Sequence, residues 1–271
     1  MFSNWLWHGP FGLVIDAGEG LQLALGQRIW TPRVVALTHG HADHTLGLPG
    51  LIASRRYAKG AQDKPLTVVF PEGNAGVLAV RDLVGRIWPH EDFPVTWTGV
   101  RAGDEIRLGK TRVLQAFAAA HGGSEPALGY AVLEERRRLK AEFSGLDEAE
   151  IRRLAREGGT EALMEPYRHV CLAHTGDSMP IEAALVARAD VLVHDATFLD
   201  AADRKRPIHA TTAEAIEVGR AAGVGCLVLQ HLSIRYERAA ALPALGDQVA
   251  ASGFAGECWL LDDGRFIDLR R

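Results

Sequence analysis

Short apolar runs alternate along the chain with stretches in which apolar residues recur every three or four positions. The runs "VVALT" (34–38), "VCLAHT" (170–175), "VLVH" (191–194) and "CLVLQ" (226–230) suit strands buried on both faces and covered by helices. Between them, "NAGVLAVRDLVGRI" (74–87) and "TTAEAIEVGRAAG" (211–223) have the spacing of amphipathic helices. The second has a threonine cap at Thr211 or Thr212 and a stop at Gly223. The pattern predicts an α/β fold of stacked layers.

Each run leads into a residue that can bind metal or move a proton: His39, the Gly176-Asp177 pair, Asp195 and His231. Ligands of open α/β sheets bind beyond the carboxyl ends of the strands. Four strands therefore deliver histidine and aspartate to one edge.

One segment breaks the pattern. "EERRRLKAEFSGLDEAEIRRLAREGG" (134–159) carries seven basic and seven acidic residues between Glu134 and Glu157. Asp147 and Glu150 have the spacing of a capping box, and Gly158-Gly159 ends the helix they would start. Alternating charge favours a solvated arm over a dedicated basic clamp. The expectation is one domain over 1–271, with this arm at about 134–168.

Composition narrows the class. Apolar residues make up 47% and charged residues 24% of the 271, the balance of an ordinary globular protein. A formal charge of -4 gives no global attraction to polyanions, so such a substrate would need a local basic patch. Cys171, Cys226 and Cys258 are odd in number and far apart. They suggest a reducing compartment rather than a disulfide framework. With no signal-peptide pattern at "MFSNWLWHGPFG" and no apolar stretch of spanning length, a cytoplasmic protein without a membrane partner is expected.

The densest chemistry lies in "THGHADH" (38–44), three histidines and an aspartate in seven positions. Imidazole and carboxylate both bind borderline divalent metals. At this spacing the four side chains cannot face one ion from a helix. A loop leaving a strand can wrap and aim them at two neighbouring ions.

This stretch resembles the signature loop of the metallo-β-lactamase superfamily, whose fold is an αββα sandwich with the metal site at one edge of the sheets. Its surroundings are more specific. "DAGEG" (16–20), "THGHADHTLGLPGLIASR" (38–55), "HDATF" (194–198), "HATTAEA" (209–215) and "LQHLSIRY" (229–236) resemble motifs of the tRNase Z (ribonuclease Z) family, from about residue 12 to about 240. The resemblance implies that His39, His41 and His121 hold one metal, that Asp43, His44 and His231 hold a second, and that Asp177 bridges them. It implies two divalent ions, zinc first, with manganese or iron also suited to the donors. His8, His90, His169 and His174 match no ligand position, and His194 is left without a role.

The function implied is a metal-dependent endoribonuclease that removes the 3′ trailer of precursor tRNA by hydroxide attack on phosphorus. Asp43 would also orient or deprotonate the water, and Asp195 with His209 would donate the proton to the leaving 3′ oxygen. Asp195 stands where the family has Glu, so that pairing would need a small backbone adjustment. Arg235 would bind a substrate phosphate, an ordinary surface arginine being the alternative. The family further implies a homodimer.

The arm is similar to that of short plant forms. Its balanced charge weakens electrostatic capture of tRNA, for which Arg55, Arg56 and Lys59, or Arg204, Lys205 and Arg206, would compensate, ordinary solvated faces being the alternative for both clusters. The rival function is a small-substrate phosphodiesterase, for example on cyclic nucleotides. A β-lactamase or thioester hydrolase leaves the Asp195–His209 pair unexplained. A non-catalytic protein of the same fold would be expected to have lost a ligand.

Overall fold

The computed structural model describes residues 3–57, 64–88 and 94–270, so Lys59 and His90 lie outside the described residues. The first sheet has five strands in sequence order: β1 (Leu6–His8), β2 (Leu13–Ile15), β3 (Val34–Ala36), β4 (Leu66–Pro71) and β5 (Val95–Val100). Strands β2 to β5 run parallel, and β1 closes one side antiparallel.

The second sheet has eight strands. They are β6 (Glu105–Arg107), β7 (Arg112–Ala118), β8 (Leu128–Leu139), β9 (Met164–His174), β10 (Val191–Asp195), β11 (Cys226–Gln230), β12 (Glu257–Asp262) and β13 (Arg265–Asp268). Strands β9 to β12 are parallel, and hairpin pairings finish both sides.

The two-residue strand period divides the core into three layers. Leu13, Ile15, Val34 and Ala36 point inward and meet Val132, Leu172, Val193 and Val228 of the second sheet. Their neighbours Val14, Val35 and Val68 point outward. There they pack on α1 (Leu21–Leu25), α3 (Gly47–Tyr57) and α4 (Ala75–Ile87), while α2 (Ala42–Thr45) is a single turn before α3. Leu192, Leu227 and Leu229 pack outward on α7 (Thr212–Ala222) and α8 (Arg238–Ser252). The molecule is thus a four-layer αββα sandwich. The apolar runs are buried on both faces, by the other sheet and by helices.

Local signals behave as their chemistry requires. The Asn74 side chain accepts from Val77 N at the start of α4. Thr211 and Glu214 form a reciprocal capping box on α7, which ends at a left-handed Gly223. The charged segment is a hairpin extension. The distal half of β8 pairs with β9 from Glu134↔His169 to Leu139↔Met164, and α5 (Glu148–Gly158) and α6 (Thr160–Leu163) lie between them. Asp147 and Glu150 form the expected box, and no α5 residue is buried.

Two expectations about basic residues fail. Arg55 is fully buried and donates to the Pro32 and Lys64 carbonyls at 2.6 and 2.7 Å, so it ties loops together and cannot reach RNA. Burial lowers its pKa to about 10. Arg204 grips the Glu214 carboxylate through both terminal nitrogens, at 2.6 and 2.8 Å. Lys205 and Arg206 remain exposed.

Candidate metal centre

The turns that follow β3, β7, β9 and β11 converge at one edge. His39, His41, His121 and Asp177 present ligand atoms all within 4.8 Å of one another, and Asp43, His44 and His231 form a second such group. Asp177 lies between them. Its Oδ2 is 3.9 Å from His39 Nε2, 3.3 Å from His44 Nε2 and 3.3 Å from His231 Nε2. His41 offers Nδ1, 2.9 Å from His39 Nε2 and 3.4 Å from His121 Nε2.

Four of these rings are fixed from behind. His39 Nδ1 meets Thr38 Oγ1 at 3.0 Å, and His44 Nδ1 meets Asp16 Oδ2 at 2.8 Å. His121 Nδ1 donates to the Ile208 carbonyl at 2.9 Å, and His231 Nδ1 meets Thr197 Oγ1 at 2.8 Å. An Nδ1–H donated outward leaves the Nε2 lone pair for the centre, which is how metal-binding histidines are held. The two threonines pass the constraint on, Thr38 Oγ1 donating to Asp16 and Thr197 Oγ1 to Asp195 Oδ1.

Charge is concentrated among largely buried side chains. Burial opposes charging of His44, but the Asp177 and Asp16 carboxylates outweigh it and hold its pKa well above the usual value. Burial also opposes ionisation of Asp177, yet His44 and His231 pull its pKa well below the carboxylate range. His39 is lowered by burial and by its positive neighbour His44. Asp43 is brought to about 2, burial being overcome by its hydrogen bond to His231 and the charge of His44.

Asp195 and His209 sit beside the second group. Asp195 is fully buried, and its Oδ2 is 2.6 Å from His209 Nδ1. The shorter side chain closes this pair while still accepting from Ser178 N and Thr197 N, both at 2.9 Å. The His209 ring stacks on His231 at 5.0 Å and meets His121 edge-on at 4.9 Å. Arg235 is exposed over the Phe198 ring at 5.0 Å, and that ring is 6.2 Å from His209.

The unassigned histidines stand apart. His8 stacks on Phe11, and His169 pairs with Asp190 at 2.7 Å. His174 and His194 are buried behind the edge. Sequence reasoning gave no role to Asn4, Asp16, Thr38 or Thr197. Asn4 Nδ2 donates to Asp43 Oδ2 at 2.7 Å and lies 2.9 Å from His44 Nε2. Asp16 adopts a left-handed φ of 58° and His231 one of 67°, strain that the surroundings of a functional site sustain.

Comparison with known proteins points to the same superfamily. A family model described as Beta-lactamase superfamily domain matches residues 13–145. The ribonuclease Z of Natronomonas pharaonis is 32% identical, over 95% of this chain and 88% of the relative. That of Halobacterium salinarum is 34% identical, over 93% and 86%. Among solved structures, the short form of human tRNase Z superposes with a TM-score of 0.61 at 20% identity, over 98% of this chain and 91% of that one. The metallo-β-lactamase fold protein YhfI from Bacillus subtilis gives 0.63 at 17%, over 94% and 87%. At these identities the structures speak to the fold alone.

Fold and donor set together define a hydrolase of the metallo-β-lactamase superfamily. Within it, the chain belongs to the ribonuclease Z family.

Proposed function

We propose that this chain is a zinc-dependent endoribonuclease that removes the 3′ trailer of precursor tRNA. The observation that carries the reading is the pair of donor groups sharing Asp177, with a carboxylate-backed histidine beside them. The residues fit two divalent ions. Asp177 Oδ1 is buried without a hydrogen-bond partner, and its Oδ2 lies 3.3 Å from both His44 Nε2 and His231 Nε2. His39, His41 and His121 would hold one ion, Asp43, His44 and His231 the other, with Asp177 shared. Bound ions would supply Lewis acidity and bring water toward ionisation near neutral pH.

The protein groups do the rest. Asp43, partly exposed and steadied by Asn4, orients the attacking water. Asp195 is immobilised by its other bonds and orients the His209 ring through Nδ1. The His209 Nε2 proton then goes to the leaving 3′ oxygen. Arg235 presents an exposed guanidinium to a phosphate on the Phe198 side. The whole chain reads as one domain with an arm, working as a homodimer in a reducing cytoplasm.

One observation favours the rival substrate. The arm's arginines pair with its own carboxylates, as in Arg138–Glu165, Arg152–Glu148 and Arg153–Glu157. Arg55 and Arg204 are likewise engaged, which takes these two out of the cations offered to RNA. The two readings separate by competition. The kcat/KM of metal-loaded protein for a 3′-extended precursor tRNA should exceed that for 2′,3′-cyclic AMP by at least about a thousandfold, roughly 4 kcal/mol. Equal or reversed preference would move the assignment to small phosphodiesters.

A further inference from the structure

His174 ends β9, is fully buried in the inner layer, and plays no part in the chemistry above. Its Nδ1 accepts from the backbone N–H of Gly176 at 3.0 Å. A backbone N–H can only donate, so Nδ1 must carry the lone pair and Nε2 the proton. The polar side chain next to the ring is that of Gln230, whose Nε2 is buried without a hydrogen-bond partner.

The Gly176 end of this hydrogen bond is not an arbitrary place. Gly176 adopts a left-handed φ of 64°, and a Cβ on it would lie 2.6 Å from the Thr38 Cβ. The turn is therefore wedged against the residue that orients His39, and the next residue in it is Asp177.

We propose that His174 is a positioning residue of the metal centre, fixing through its Nδ1 the turn that presents Asp177. The proposal rests on the reading of Asp177 as the shared ligand. Outer partners of this kind are worth on the order of ten- to a hundredfold in metal affinity.

The test is a metal titration followed by the visible spectrum of the cobalt(II)-loaded full chain, with ions per chain counted separately. His174→Leu removes the acceptor. His174→Asn keeps one near the Nδ1 place. His174→Leu should weaken binding by ten- to a hundredfold and alter the cobalt spectrum, and His174→Asn should recover most of both. A purely packing role would not be rescued by the smaller, polar asparagine. Wild-type affinity and spectrum in His174→Leu, or no recovery in His174→Asn, overturns the proposal. Should His174→Leu fail to fold, His174→Phe decides: it keeps the ring volume without the acceptor, so weakened binding supports the role and unchanged binding removes it. Asp177→Ala is the control on the underlying reading. If it keeps both ions, the shared-ligand assignment fails. If it loses metal while the His174 variants do not, only the positioning role fails.

Discussion

The metal edge and the arm lie at opposite ends of β9, about 30 Å apart along the strand, and both are dense in charge. They are built in opposite ways. At the edge, partners are distant in sequence and buried: His44 meets Asp16 across 28 residues and His121 meets Ile208 across 87. On the arm, Arg152 meets Glu148 and Arg153 meets Glu157, one helical turn apart and largely exposed. The first arrangement has to be held by the whole fold and is largely shielded from solvent, so its charges act strongly on one another. The second forms in an isolated helix and is screened by solvent. Chemistry should therefore depend steeply on the edge and weakly on the arm.

The largest effect should come from the residue shared by both donor groups. Asp177→Ala should lower kcat/KM by at least about four orders of magnitude with loss of bound metal, read by metal analysis beside the kinetics. Full activity in that variant would break the comparison. Next come His209→Ala and Asp195→Asn, each lowering kcat by roughly 10²- to 10⁴-fold while metal content stays at the wild-type value. Loss of metal in either would mean that the pair serves the site rather than the leaving group.

A pH effect arises from His174, which burial holds at about 4, against an ordinary value of 6.5. The folded state disfavours the proton. The stability this group contributes is therefore whole above about pH 6.5 and is lost as pH falls toward 4, on the order of 3 kcal/mol at most. Denaturant unfolding of the metal-free chain and of His174→Asn, side by side at several pH values, should show the wild type falling more steeply. Parallel curves would contradict the buried neutral imidazole.

Arg235→Ala should raise KM for precursor tRNA about tenfold with little change in kcat, close to 1.4 kcal/mol. An unchanged KM would return Arg235 to an ordinary surface role. The smallest effects belong to the arm. Arg152→Ala and Arg153→Ala should each shift stability by less than about 1 kcal/mol. A larger loss would show that the arm packs on something beyond its own helix.

Much of the edge was legible because a buried strand can be read from a few apolar residues, and the sheet then places the side chains just beyond its carboxyl end. Helix boundaries were legible for the same local reason, as Asn74, Thr211 with Glu214, and Asp147 with Glu150 cap within three residues. The residues behind the ligands were not. Asp16 reaches Thr38 and His44 only through a left-handed turn, and Asn4 reaches Asp43 across 39 residues. Nor could short runs say that β3 belongs to a different sheet from β9, β10 and β11. Arg55 was misread although its signal was present. It comes after Leu48, Leu51 and Ile52 at the spacing of a buried helix face, and a charge on that face is ordered by carbonyls, not offered to a ligand.

The most direct test of the whole account is a denaturing-gel map of a 3′-extended precursor tRNA incubated with zinc-loaded protein, beside a chelated control. The account predicts one chelator-sensitive cut just after the discriminator base. An intact precursor, or cuts that persist in the chelated sample, would contradict it.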